Sequence, residues 1–260
     1  MDNSQNLLPS LIFSRIIDIS QPVSTMTACF PGDVPFSKKI TLSYESSQII
    51  NLTAFTMSPH VGTHADAPVH IKGKLSEEAN QTASENGTEN GVEKNTKKNA
   101  EKTAEKGADT DTTAGALALH PFLGRVYVMD LAPHTGAIGG SAILDQLTEL
   151  ATVDEITRVI FKTRSESKPH LFEDDYSYIG EDTAEKLGEL GFVLTGLDTP
   201  SVDHTESKDL ATHNVLDRFN LCWLENLDLS AVEEGEYQLI ALPLKFIELE
   251  ASPVRAILLA

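Results

Sequence analysis

From Lys74 to Thr112 the chain reads KLSEEANQTASENGTENGVEKNTKKNAEKTAEKGADTDT, without an aromatic residue and with Leu75 and Val92 as its only large aliphatic side chains. Such a stretch buries too little apolar surface to offset the entropy of ordering it. Any core must therefore come from the flanks, and the N-terminal flank is too small to stand easily alone. The sequence predicts one domain over residues 1–260, interrupted at 74–112 by a disordered surface insertion. Two domains joined by a linker is the weaker reading.

The flanks supply apolar material in short runs. RIIDIS, IINLTAFTM, GRVYVMDL, TRVIFKT, GFVLTGLDTP, LCWLENLDL, YQLIALPL and VRAILLA are rich in β-branched or aromatic residues and bounded by Gly, Pro, Asp or Ser, which reads as strands. Helix signals are fewer. SAILDQLTEL offers its serine as an N-cap, EDTAEKLGELG ends on a glycine stop, and SKDLATHNVLDRF has a weaker helical pattern. The regular strand–helix alternation of a doubly wound fold is missing. The expectation is an α/β domain with a mixed or barrel-like β-sheet core and flanking helices.

Charge narrows the partners. A formal net charge of −19 opposes phosphate binding, which needs clustered Lys and Arg, and opposes docking on anionic membranes. Neither nucleic acid nor membrane is expected; a small-molecule substrate remains open. Asp2 stands where an export signal wants basic residues, Pro9, Ser14 and Arg15 break the following apolar run, and no window reaches the length of a membrane span. Cys29 and Cys222 cannot make a disulfide framework. A cytoplasmic protein in a reducing compartment is expected.

The chemistry concentrates in SPHVGTHADAPVHI, residues 58–71. His60, His64, Asp66 and His70 share parity, so an extended chain would align them on one face. Gly62 and Pro68 oppose a helix, as do the β-branched Val61 and Thr63. A straight strand rising about 3.3 Å per residue would hold His60 and His64 about 13 Å apart. Ligand distances of about 2.0–2.1 Å forbid both from gripping one ion at that span. A bend at Gly62 would fold the two imidazoles together and let Asp66 join them. The stretch predicts a metal or catalytic site. His120, His134, His170 and His204 stand singly and read as solvated loop residues.

HVGTHADAPVH fits the pattern H-x-G-[TA]-H-x-D-x-P-x-H and resembles the metal-dependent cyclase-like hydrolases, within them the bacterial kynurenine formamidases (arylformamidases). DISQPVSTMTACFPGD is similar to that family's N-terminal strand and substrate loop. GLDTPSVDHTESKDLATHNVL and YQLIALPLKFIELEASPVRAILL are similar to its C-terminal half, with the DTPS and SK elements of the formamidase branch. The resemblance implies a swivelling β/β/α fold, a homodimer and two divalent ions. By position it implies that His60 and His64 hold the first ion, that Asp66 bridges, and that His213 with Glu225 holds the second. His70 would be the catalytic acid/base. His213 in a possible helix and Glu225 in a strand carry only a weak signal without the resemblance. Phe30 stands where the family commonly has a tryptophan that contacts the substrate ring, so an aromatic face is kept.

Imidazole and carboxylate donors suit Zn²⁺, with Mn²⁺ as competitor. The implied activity is hydrolysis of N-formyl-L-kynurenine to L-kynurenine and formate, in tryptophan breakdown. An alternative is a related amidase that opens a cyclic amide such as isatin. A metal-binding interaction protein without turnover is a third reading, against which the presence of His70 speaks.

Overall fold

Residues 14–73, 75, 112–153 and 156–260 are described by the structure, a computed structural model. The N-terminal part holds β1 (Ile16–Asp18), β2 (Ser37–Leu42), the short helix α1 (Tyr44–Ser47), β3 (Leu52–Thr56) and β4 (His64–Asp66). Beyond Thr112 follow β5 (Leu123–Asp130), β6 (Ala137–Ile138), α2 (Ser141–Leu150), β7 (Arg158–Lys162), β8 (Tyr178–Ile179) and α3 (Glu181–Glu189). The chain ends with β9 (Leu194–Leu197), α4 (Ala211–Arg218), β10 (Cys222–Glu225), β11 (Gly235–Ile240), β12 (Ala251–Pro253) and β13 (Ile257–Leu259).

Nine strands form one sheet in the order β1-β13-β11-β5-β7-β9-β10-β4-β12. β5, β7, β9 and β10 run parallel, and the pairings on either side of them are antiparallel. The expected mixed sheet is therefore present, and it is open rather than a closed barrel, because β1 and β12 are its two ends.

Strand alternation builds two cores from the same strands. Val126, Val128, Ile160, Leu194 and Leu224 point to one face, with Phe122 and Leu239. Met129, Val159, Phe161, Leu197 and Trp223 point to the other. There they meet Leu147 and Leu150 of α2, Ala184 and Leu187 of α3, and Val215 and Leu216 of α4. Every residue of β9 is buried, as expected of a parallel strand covered on both faces. Truncating Phe161, which has no exposed surface, would cost about 3–5 kcal/mol.

Some elements depart from the expectations. Ser141 is the first residue of α2 rather than its cap, which is Gly140 and makes no side-chain capping bond. The expected helix from Ser207 starts only at Ala211, because Leu210 takes the left-handed conformation at φ +49. β12 escapes strand rules because it ends on Pro253, which an end strand of the sheet tolerates. β2 and β3 pair outside the main sheet, and every residue of both is exposed.

Apart from Leu75 and Thr112, the expected insertion lies outside the described residues. Its flanks meet: a Cβ placed on Gly73 would lie 3.7 Å from Thr112 Oγ1. No helix among the described residues is long and apolar enough to cross a membrane.

Candidate metal centre

β4 lies between β10 and β12, with His64 opposite Glu225 and Asp66 opposite Ala251. Ala65 belongs to the first core cluster, so its neighbours His64 and Asp66 face the helix-covered side. Trp223 faces that side too, and so does Glu225, two residues further along β10. His60 precedes the strand and reaches the same point through the predicted bend. Gly62 has φ +75, and a Cβ there would lie 2.7 Å from Val23 Cγ2, so only glycine turns here without displacing its neighbour. His60 Nδ1 is thereby brought to 3.2 Å from His64 Nε2.

The remaining predicted residues converge on Asp66. Its Oδ1 is 3.1 Å from His60 Nδ1 and 3.4 Å from His64 Nε2. Its Oδ2 is 3.7 Å from Nε2 of His213, which α4 supplies, and 3.8 Å from His70 Nε2. Glu225 closes the ring, with Oε2 3.1 Å from His64 Nε2 and Oε1 3.8 Å from His213 Nε2. A cavity of about 300 Å³ opens over this cluster, and Phe30, Asp33, His60, His70, His213 and Glu250 line it. Phe30 is propped edge-on against Phe172, ring centres 5.3 Å apart.

Hydrogen bonds to the outer side of each group aim it inward. His64 donates from Nδ1 to the Gly62 carbonyl at 2.9 Å, and His213 donates from Nδ1 to Asp203 Oδ2 at 2.6 Å. In both rings Nε2 is left to face the centre, the arrangement that second-shell oxygens give to metal-binding histidines. Trp223 Nε1 donates to Asp66 Oδ2 at 3.2 Å, and the Val202 amide donates to Glu225 Oε1 at 2.8 Å. His60 Nε2 is 3.6 Å from Glu250 Oε1. Asp203 also accepts the amides of Thr212 and His213, each at 3.0 Å, so it caps α4 and orients the histidine on it.

Asp203, Trp223 and Glu250 are absent from the sequence-derived set. A carboxylate ahead of a helix start was a usable signal for Asp203, and the shared parity of Trp223 with Glu225 was one for Trp223. Glu250 had none, because β12 was not readable as a strand.

The electrostatics ask for a cation. Asp66 Oδ1 is buried and makes no hydrogen bond of acceptable geometry among the described residues. Leaving such an oxygen unpaired is costly, and a positive ion is what would satisfy it. Burial works against charge on His60, yet the Asp66 carboxylate beside it, with Glu250 and Glu225 nearby, pushes it up to about 11. Burial opposes charge on His213 as well, and its bond to Asp203 with the nearby Asp66 and Glu225 carboxylates still pushes it up to about 10. Burial would raise the carboxyl of Asp66, but His60, His213 and His64 hold it well below the usual range. The potential ligand atoms of His60, His64 and Asp66 lie within 4.8 Å of one another, as do those of Asp66, His70 and His213. Donor type, convergence and the orphaned oxygen all fit a divalent metal ion.

His70 differs from the other three histidines. It ends the 3₁₀ turn Pro68–His70, and its side chain keeps 30% of its surface exposed to the cavity. Neither ring nitrogen makes a hydrogen bond to the described residues, so nothing fixes its tautomer from behind. Burial pushes its pKa down, and the neighbouring His60 and His213 add to that against the pull of Asp66.

Two of the single histidines are not solvated loop residues. His134 is half-buried with Nδ1 2.9 Å from Ser177 Oγ, and His204 packs against Tyr178 with ring centres 5.3 Å apart. Both sit beside groups that the linear sequence keeps far away. His120 and His170 are exposed, as expected.

Comparison with known proteins places the chain in a family. The Cyclase family model matches residues 17–204. The kynurenine formamidase of Bordetella avium (strain 197N) is 35% identical over 247 residues, covering 94% of this chain and 97% of that one. Isatin hydrolase A from Labrenzia aggregata superposes with a TM-score of 0.69 at 17% identity, over 95% of this chain and 93% of the other. A structure described as a predicted metal-dependent hydrolase from Bacillus stearothermophilus gives a TM-score of 0.67 at 21% identity, over 94% and 98%. The two structural likenesses are of fold, whereas the formamidase likeness extends to sequence along nearly the whole chain. The chain belongs to the Cyclase family and, within it, groups with the kynurenine formamidases.

Proposed function

We propose that this protein hydrolyses the formamide of N-formyl-L-kynurenine, giving L-kynurenine and formate, in tryptophan catabolism. The observation that carries this reading is the 35% identity with a kynurenine formamidase across 94% of the chain. The pocket supports it, because an aromatic side chain, Phe30, and an unanchored histidine, His70, line one cavity.

In this reading His60 and His64 would hold one divalent ion, His213 and Glu225 would hold a second, and Asp66 would be shared by both. Zn²⁺ is the leading choice and Mn²⁺ the alternative. Such ions supply Lewis acidity, acidifying water and polarising a carbonyl oxygen. The chain's own residues do the rest. Phe30 offers its face to the anilide ring and so turns the formamide toward the centre. His70 accepts a proton from the attacking water as the new C–O bond forms. It returns that proton to the aryl nitrogen as the C–N bond breaks, so the amine leaves neutral. Asp203 and the Gly62 carbonyl hold His213 and His64 in fixed tautomers throughout.

The protein is read as a single domain, since the flanks of the insertion meet at Gly73 and Thr112. A homodimer is supported by the exposed apolar side chains of β2, β3 and their connection, with Ile40 62% exposed, Ile49 76% and Phe55 65%. The free thiols of Cys29 and Cys222 suit a cytoplasmic setting.

Isatin opening is the lower-ranked activity, because the likeness to an isatin hydrolase is one of fold at 17% identity. The test compares formate release from N-formyl-L-kynurenine with isatin opening on metal-reconstituted protein. A kcat/KM in favour of the formamide is expected. Faster isatin opening would replace the reading.

A further inference from the structure

N-Formyl-L-kynurenine carries an α-ammonium group that neither isatin nor a simple formanilide has, and the cavity holds an unused carboxylate at its edge. Phe30, Pro31, Gly32 and Asp33 make a tight turn, closed by the Asp33 amide donating to the Phe30 carbonyl at 3.0 Å. Proline at the second position and glycine at φ +100 at the third are the residues a type II turn requires. The turn fixes Phe30 and Asp33 relative to each other, and both side chains line the cavity.

The other acidic groups of the cavity already have partners. Glu225 takes the Val202 amide and faces His64 and His213. Glu250 faces His60. Asp33 is half-buried, and its carboxylate makes no hydrogen bond or ion pair with the described residues. Among the described residues, no Lys or Arg lines the cavity. Away from the histidines of the metal centre, an anionic group of a ligand would meet no Lys or Arg among these lining residues, whereas a cationic one meets the free carboxylate of Asp33.

We infer that Asp33 is a specificity-determining residue that binds the α-ammonium of the amino-acid substrate while Phe30, three residues before it, contacts the aryl ring. This rests on the formamidase reading. Its consequence is that the pocket prefers an aryl formamide bearing an ammonium group over a neutral one, with the α-carboxylate left toward solvent.

The test uses the full-length, metal-loaded protein and three substrates: N-formyl-L-kynurenine, its Nα-acetyl derivative, in which the ammonium is lost, and formanilide. In the wild type, acetylation is expected to raise KM roughly tenfold with little change in kcat, the scale of one charge-assisted hydrogen bond at a partly exposed site. Asp33→Asn should raise KM for N-formyl-L-kynurenine by a similar factor, lower its kcat/KM relative to formanilide by about tenfold, and abolish the effect of acetylation. Equal wild-type KM values for the free and acetylated substrates would overturn the inference without recourse to any variant. So would an unchanged substrate ratio in Asp33→Asn. A wild type that turns over formanilide but not N-formyl-L-kynurenine would instead overturn the formamidase reading, and the inference with it.

Discussion

His213 donates a 2.6 Å hydrogen bond from Nδ1 to Oδ2 of Asp203, and the same carboxylate accepts the backbone amide of His213 at 3.0 Å. Side chain and backbone of one residue are thus tied to one acceptor. The bond selects the tautomer with Nε2 free to face Asp66 and Glu225. Its removal should therefore be felt as lost ligand quality before it is felt as lost fold.

Asp203→Asn is expected to weaken metal binding or activity by about 10–100-fold, the usual effect of removing a second-shell partner. Competition with a chromophoric chelator measures the affinity. Asp203→Ala should also lower the melting temperature, since Thr212 and His213 then lose the acceptor of their amides. Wild-type metal affinity in Asp203→Asn would contradict the orienting role.

The bridging position assigned to Asp66 separates two further variants. Asp66→Ala should purify with neither ion, because a carboxylate between two cations neutralises both. Glu225→Ala should lose mainly the ion shared with His213. Elemental analysis of the purified variants decides this, and full metal content in Asp66→Ala would remove the bridge.

His70 is set apart from the ligands by its lack of an anchoring hydrogen bond. His70→Ala is expected to keep its metal and lose roughly 10²–10⁴ in rate, the contribution of general acid–base catalysis. Metal-free His70→Ala would reassign the residue as a ligand, a role its 3.8 Å approach to Asp66 allows sterically.

Proton linkage gives a test that needs no substrate. His60 and His213, pushed up to about 11 and about 10, both carry protons at neutral pH in the metal-free protein. Each is raised from an ordinary value of 6.5, so its contribution to stability is full below that pH and fades as pH rises through the folded value. The metal-free protein should thus lose melting temperature between pH 6.5 and about 11, while the loaded protein should not follow. Metal uptake near pH 7.5 should release about two protons, one from each ring, measurable calorimetrically in buffers of different ionisation enthalpy. Uptake without proton release would show that the rings are neutral beforehand.

Much of the site was legible because it is local. His60, Gly62, His64, Asp66 and His70 lie within one short stretch, and the parity rule with a single glycine bend accounts for their convergence. His213 and Glu225 were reachable only through family resemblance, since their approach depends on α4 packing over β10, a long-range contact that periodicity does not encode. Asp203 and Trp223 left a faint local trace, a carboxylate ahead of a helix and a parity shared with Glu225, but their hydrogen bonds to His213 and Asp66 join separate segments of the chain, and Glu250 left none. In the fold, the apolar strands β5, β7, β9 and β10 were readable because each contributes buried apolar residues to both cores. β2 was not, since SKKITL is exposed throughout and carries little apolar signal.

The central claim is a metal-dependent formamidase, and its most direct test is formate release from N-formyl-L-kynurenine by protein stripped with a chelator and then titrated with Zn²⁺. The account predicts no turnover in the stripped protein and recovery that rises with bound ion to a plateau at about two per chain. Full turnover by protein verified as metal-free would contradict it.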